Sequence, residues 1–135
     1  MYGLLLAIRG ARLRVMILEA LSMTPRYLMT DPSCFDVSYV INPWMRPDAW
    51  ADHRRAEAIA ASLGLRAALT EAGARVDMVP AVEGLPDLVF PANAGVVLDG
   101  KVLLARFACR ERQGEEAPFR AAFEDMHLPR SVMDV

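Results

Sequence analysis

Asp99-Gly100 stands between two apolar runs, residues 96–98 and 101–107. An Asp-Gly pair so placed favours a tight turn whose twist matches that of paired strands, so the two runs are expected to return on each other as a hairpin. That excludes an all-helical chain. Upstream, residues 47–72 carry Trp50, Ile59, Leu63, Leu65 and Leu69 at mixed helical spacings. Pro47 is tolerated near a helix start, Asp48 suits the positive end of the helix dipole, and Gly73 follows as a natural stop. Gly64 is a weak point inside, costing about 1 kcal/mol relative to alanine. One hairpin and one long helix in the same short chain demand an α/β fold.

The remaining segments fill in the order. Residues 27–29 read as a strand ended by Thr30-Asp31-Pro32-Ser33. Phe35, Val37 and Tyr39 alternate with Asp36, Ser38 and Val40 in a short extended piece, closed by a turn at Asn42-Pro43. Residues 75–80 alternate as a strand leaving the helix, residues 87–90 form a short apolar run, and residues 118–126 form a second helix on Phe119, Ala122 and Phe123. Segments 27–79 and 87–126 each join extended pieces to one helix, which hints at two βαβ-like units without a residue-level repeat.

Composition narrows the partners. The 135 residues fit one domain. A hydrophobic fraction of 54% excludes intrinsic disorder, and a formal net charge of −2 argues against a nucleic-acid binder, which carries a basic excess. Cys34 and Cys109 form no CxxC pair, so neither a disulfide framework nor a metal site is expected, and a cytoplasmic location is the default. The apolar N-terminus, residues 1–21, is interrupted by Arg9, Arg12, Arg14 and Glu19, well short of the ~18 uncharged residues a membrane span needs. It reads as an amphipathic helix or an overlong start, with a membrane-surface helix as the other option. No membrane partner and no cofactor are expected.

Two blocks carry a resemblance: Phe35-Asp36-Val37-Ser38-Tyr39-Val40-Ile41-Asn42-Pro43-Trp44-Met45, and Gly84-Leu85-Pro86-Asp87-Leu88-Val89-Phe90-Pro91-Ala92-Asn93-Ala94-Gly95. Together with Glu111-Arg112-Gln113-Gly114-Glu115-Glu116, they resemble the guanidino-group modifying enzymes: amidinotransferases, arginine deiminases, dimethylarginine dimethylaminohydrolases and arginine dihydrolases. The resemblance implies the pentein, or α/β propeller, of which this chain would supply about the first two of five ββαβ units. Residues 26–126 would be the partial pentein domain, residues 1–25 an extension outside the resemblance, and residues 127–135 a divergent tail.

In that family a cysteine attacks the guanidinium carbon, a histidine moves protons, and water hydrolyses the covalent intermediate. Neither Cys34 nor Cys109 matches the nucleophile, and neither His53 nor His127 matches the histidine, so no catalytic residue is assigned. The resemblance implies a substrate-binding set. Asp87 would meet the ligand's amino group, Arg112 its carboxylate, and Phe90 would line the pocket. Asn42 and Asn93 match the asparagines of the dihydrolase and amidinotransferase-like branch. Each has a plainer alternative: a loop-capping Asp87, an Asx turn at Asn42 before Pro43, a left-handed turn at Asn93, a solvated Arg112, a core Phe90. Trp44 and Trp50 read as core or helix anchors, His53 as a wet helix residue, and Glu115, Glu116, Glu124 and Asp125 as helix-surface charge.

The expected function is the N-terminal fragment of a guanidino-group hydrolase. It would act on an arginine-like small molecule and be inactive alone, through truncation, a frameshift or a split gene. It would self-associate or pair with a missing C-terminal half. A non-catalytic amino-acid-binding or interaction module is the alternative.

Overall fold

Residues 24–127 are described by the structure, a computed structural model of the chain. The elements run β1 (Arg26–Thr30), α1 (Asp52–Glu71), β2 (Arg75–Val79), β3 (Gly95–Leu98), β4 (Lys101–Leu104) and α2 (Glu116–Asp125), with 3-10 turns between them. The fold is α/β. The N-terminal stretch expected as a helix and the divergent tail after His127 lie outside the described residues.

β1 and β2 pair in parallel, Arg26 opposite Arg75 through Thr30 opposite Val79. Parallel neighbours need a long crossover, and α1 supplies it. Its end shows why it stops there. Gly73, at φ +85°, donates its N–H to the Thr70 carbonyl, and the Ala74 N–H reaches the Leu69 carbonyl. This paired closure satisfies carbonyls that the helix end would otherwise leave bare, and the left-handed glycine makes it cheap. The hairpin is as expected. β3 and β4 are antiparallel, Leu98 opposite Lys101, and Asp99 and Gly100 take φ +50° and +72° between them.

One sequence expectation changes. The long helix does not run unbroken from Pro47. A 3-10 turn over Pro47–Ala49 ends at Trp50, whose extended backbone (φ −90°, ψ 126°) separates it from α1. The Trp50 ring meets Phe35 edge-on with centroids 5.3 Å apart, which holds that break in place. The short apolar run at residues 87–90 takes the form of proline turns. Pro86 and Pro91 each open a 3-10 turn, Pro86–Val89 and Pro91–Asn93, because proline presets the turn's φ and cannot donate to a ladder. Residues 35–41 keep their alternation but join neither sheet.

Val79, Leu88, Ala94, Val102, Phe119 and Phe123 form the core, where β2, the proline turns, the hairpin and α2 converge. α1 contributes no buried residue to it. Thr30 Oγ1 donates to the Leu88 carbonyl at 2.7 Å inside this core, fixing the proline turns against β1. Arg26 bonds Asp77 across the parallel pair and the Met126 carbonyl beyond α2, so one guanidinium ties three elements. Among the described residues, no helix is long and apolar enough to cross a membrane.

The Arg26 hydrogen bond holds the Asp77 carboxyl below its ordinary range, against partial burial and helped by Arg75. A lowered folded-state pKa contributes stability that is present above the unfolded value near pH 4 and lost as pH falls through the folded value. Asp77→Asn is therefore expected to cost below about 1 kcal/mol at pH 7 and nothing at acid pH. Urea denaturation of both proteins across that range measures the closing gap.

Candidate functional site

Arg112 sits in the 3-10 turn Arg110–Glu115, three residues before Glu115. Within one turn, that spacing places both side chains on the same side. The guanidinium pairs bidentately with the Glu115 carboxylate, Nε to Oε1 at 2.9 Å and Nη2 to Oε2 at 2.7 Å. Nη1 donates to Asn93 Oδ1 at 3.0 Å, and Nη2 donates again to the Asp87 backbone carbonyl at 3.3 Å. The cation also lies 4.4 Å above the centre of the Phe107 ring. Four of the five N–H groups are thereby used, leaving one on Nη1. Burial disfavours the Arg112 charge, but Glu115 and then Asp87 outweigh it and raise its pKa further.

The plainer reading of Arg112 as a solvated charge fails, since its side chain is only 12% exposed. Glu115 is a larger correction. Expected on a wet helix surface, it is fully buried because Arg112 neutralises it at close range. Glu116 is also engaged, accepting from the Phe107 backbone N–H at 3.0 Å. Trp44, expected as an anchor, is 83% exposed.

A cavity of about 280 Å³ opens beside this cluster, and all five residues singled out from the sequence, Asn42, Asp87, Phe90, Asn93 and Arg112, line it. The loop 35–45 supplies its apolar wall through Phe35, Val37, Ile41 and Met45. Phe35 meets Phe90 edge-on at 6.1 Å and Trp50 on its other side, so an aromatic row connects the cavity to the start of α1. Asn42 does form the Asx turn, accepting from the Trp44 backbone N–H at 3.0 Å. It lines the cavity as well, so the two readings are compatible. Asn93 closes the turn Pro91–Asn93 with its backbone while its side chain holds Arg112. Phe90 is 45% exposed and belongs to the cavity wall, not the core.

Asp87 is the informative residue. Its side chain is 7% exposed, yet its nearest cation is Arg112 Nε at 4.0 Å, beyond hydrogen-bond distance. Two buried carboxylates, Asp87 and Glu115, thus face one guanidinium that has committed its fork to Glu115. Asp87 and Arg112 line the cavity, and counting Glu115 buried behind them the cluster holds one more acid than base. Sequence reasoning missed Tyr39, whose buried hydroxyl lies close to Asp87, just short of ordinary hydrogen-bond geometry. It missed Glu115 and Phe107 too. The Arg-x-x-Glu spacing was the available signal for Glu115; Phe107 left none.

Cys34 and Cys109 are half-buried free thiols that do not line the cavity, and His53 is exposed on the first turn of α1. Among the described residues no cluster of His, Cys, Asp and Glu could hold a metal ion. Two other concavities are more apolar. One of about 380 Å³ lies between β2 and α2, and one of about 550 Å³ runs along β3.

No family model matches the chain. Among curated proteins it is 48% identical over 99 residues to the bifunctional arginine dihydrolase/ornithine cyclodeaminase AgrE of Nostoc sp., covering 73% of this chain and 14% of that one. It is 38% identical over 96 residues to the N(G),N(G)-dimethylarginine dimethylaminohydrolase of Mycobacterium tuberculosis, covering 71% and 31% respectively. The product-bound N-terminal domain of ArgZ, a cyanobacterial arginine dihydrolase, superposes with a TM-score of 0.72 at 41% identity, over 82% of this chain and 40% of that one. The chain thus spans well under half the length of these relatives.

Glu115→Ala is expected to cost about 3 kcal/mol or more, because it strands the Arg112 charge in a buried site. Glu57→Ala, on the exposed face of α1, should stay within about 0.5 kcal/mol. Thermal unfolding of the two variants tests the contrast.

Proposed function

We propose that the chain, which belongs to the guanidino-group modifying (pentein) superfamily and corresponds to its N-terminal part, forms the ligand-gripping wall of an arginine-directed hydrolase of the dihydrolase type. The observation that carries this reading is the buried Asp87 carboxylate on the cavity wall, 4.0 Å from Arg112, whose fork is committed to Glu115. A buried charge is costly unless it is paired, and a ligand ammonium or guanidinium pairs it. Arg112 keeps one N–H and its positive charge for the ligand's carboxylate; it cannot grip that group with its whole fork, which Glu115 holds. Asn42 and Asn93 offer amide groups along the same wall, and Phe90 with Phe35 excludes water. An amino acid matches this layout, its ammonium at Asp87 and its carboxylate at Arg112, and the surplus negative charge of Asp87 and Glu115 over Arg112 favours a cationic one such as arginine. Two relatives support it: AgrE is described in complex with L-arginine, and ArgZ as an arginine dihydrolase bound to its product.

Hydrolysis by the family route requires a thiolate at the guanidinium carbon and a histidine beside it. No cysteine or histidine lines the cavity. In this reading both come from sequence outside these 135 residues, which act as about two of five propeller units, with residues 26–126 as the partial domain, in the cytoplasm. The absence of a thiol from the cavity also suits the second reading, a binding module without chemistry. The two part on whether the C-terminal remainder of an arginine dihydrolase, supplied in trans or fused, restores ammonia release.

By isothermal calorimetry, the 135-residue chain should bind L-arginine more tightly than citrulline, whose side chain is neutral. Asp87→Asn should weaken arginine binding by about tenfold or more, the worth of a charge-assisted hydrogen bond. The chain alone should release no ammonia from arginine in a coupled assay, because losing nucleophile and base removes nearly all of the rate. Equal affinity for arginine and citrulline, or turnover that disappears in Cys34→Ala or Cys109→Ala, would contradict this reading.

A further inference from the structure

We infer that Tyr39 is a positioning residue for Asp87: its hydroxyl donates to one carboxylate oxygen and leaves the other to the ligand's cation. One unpaired hydroxyl beside a buried acid leads to this. The Tyr39 hydroxyl is buried and has no hydrogen-bond partner. The Asp87 carboxylate lies close to it, largely buried, with Arg112 Nε at 4.0 Å. A buried hydroxyl without a partner is costly, and a Tyr39–Asp87 bond removes that penalty. The segment that must adjust to make it is the loop 35–45, which is paired to neither sheet and forms the cavity's apolar wall. Filling the cavity packs a ligand against that wall and settles Tyr39 onto Asp87.

The choice of a phenol has a physical reason. The groups facing Asp87 are Tyr39, Arg112 and, through Arg112, Glu115. A second cation at position 39 would cancel the surplus acid that recruits the ligand, whereas a neutral donor orients the carboxylate and leaves its charge intact. Burial first, then Asp87 and Glu115, push the Tyr39 hydroxyl well above its ordinary pKa, so it stays protonated and can donate.

The inference rests on the arginine-binding reading, and its test separates the two. L-Arginine binding is measured by calorimetry for the full chain, Tyr39→Phe, Asp87→Asn and the double variant. Tyr39→Phe should weaken binding by about fivefold in the parent and by less than about twofold in the Asp87→Asn background. Equal losses in both backgrounds would overturn the inference, since a structural role or direct ligand contact gives that result. A second measurement needs no ligand. Tyrosinate absorbance is titrated with base, and subtraction of the Tyr39→Phe curve isolates Tyr39. Asp87→Asn should move its midpoint towards neutral pH, and an unmoved midpoint would overturn the inference. If the parent fails to bind arginine while the midpoint moves, the arginine reading falls and the Tyr39–Asp87 pairing stands.

Discussion

The Arg112 guanidinium holds together parts of the chain that no sheet or helix joins. It reaches Glu115 in its own turn, Asn93 in one proline turn and the Asp87 backbone in the other, over a Phe107 ring from the segment after the hairpin. Those turns carry three of the cavity's polar residues. With neither strand pairing nor a helix to fix them, their positions are set by this cation, the Thr30 bond to Leu88, the Ala105 N–H bond to the Ala94 carbonyl, and Leu88 and Ala94 in the core. A lysine could not take its place, because one ammonium cannot satisfy a carboxylate in parallel and still span two turns. The cost of burying Glu115 is offset by a bidentate pair, and the result is a rigid floor with one acid, Asp87, left over.

The opposite wall is built differently. The loop 35–45 is shaped by side-chain contacts: Phe35 wedged between Trp50 and Phe90, Asp36 paired with Arg55 at 2.9 Å, and an Asx turn at Asn42. A floor set by charge and a wall set by aromatic packing differ in stiffness. The floor's geometry resists small changes, while the wall can shift by side-chain rotation without breaking a ladder.

Much of the fold was legible because local chemistry and tertiary structure agree. Asp99-Gly100 dictated the hairpin, and Gly73 ended α1. The five cavity residues were found through the two motif blocks and the Glu111–Glu116 piece, which the fold brings to one place across about 70 residues of sequence. What was missed depends on tertiary partners. The break at Trp50 follows from Phe35, fifteen positions earlier, which no helical periodicity encodes. Glu115 looks like one more acid in a charged run until Arg112 turns it inward. The proline turns at residues 86–93 read only as a loop and a short apolar run, because Leu88, a core residue, gives no sign of its turn. Burial and strand propensity favour the same side chains, and only the prolines argue for the turn.

In the proposed function, the Asp87 carboxylate makes this cavity the seat of a cationic amino acid. The most direct measurement is an NMR titration of the isotope-labelled chain with L-arginine, following backbone and side-chain amides. The account predicts shifts concentrated at Asn42, Phe90, Asn93 and the Arg112 guanidinium N–H groups, lost in Asp87→Asn. Shifts confined to the concavity between β2 and α2, or a pattern unchanged by Asp87→Asn, would contradict it.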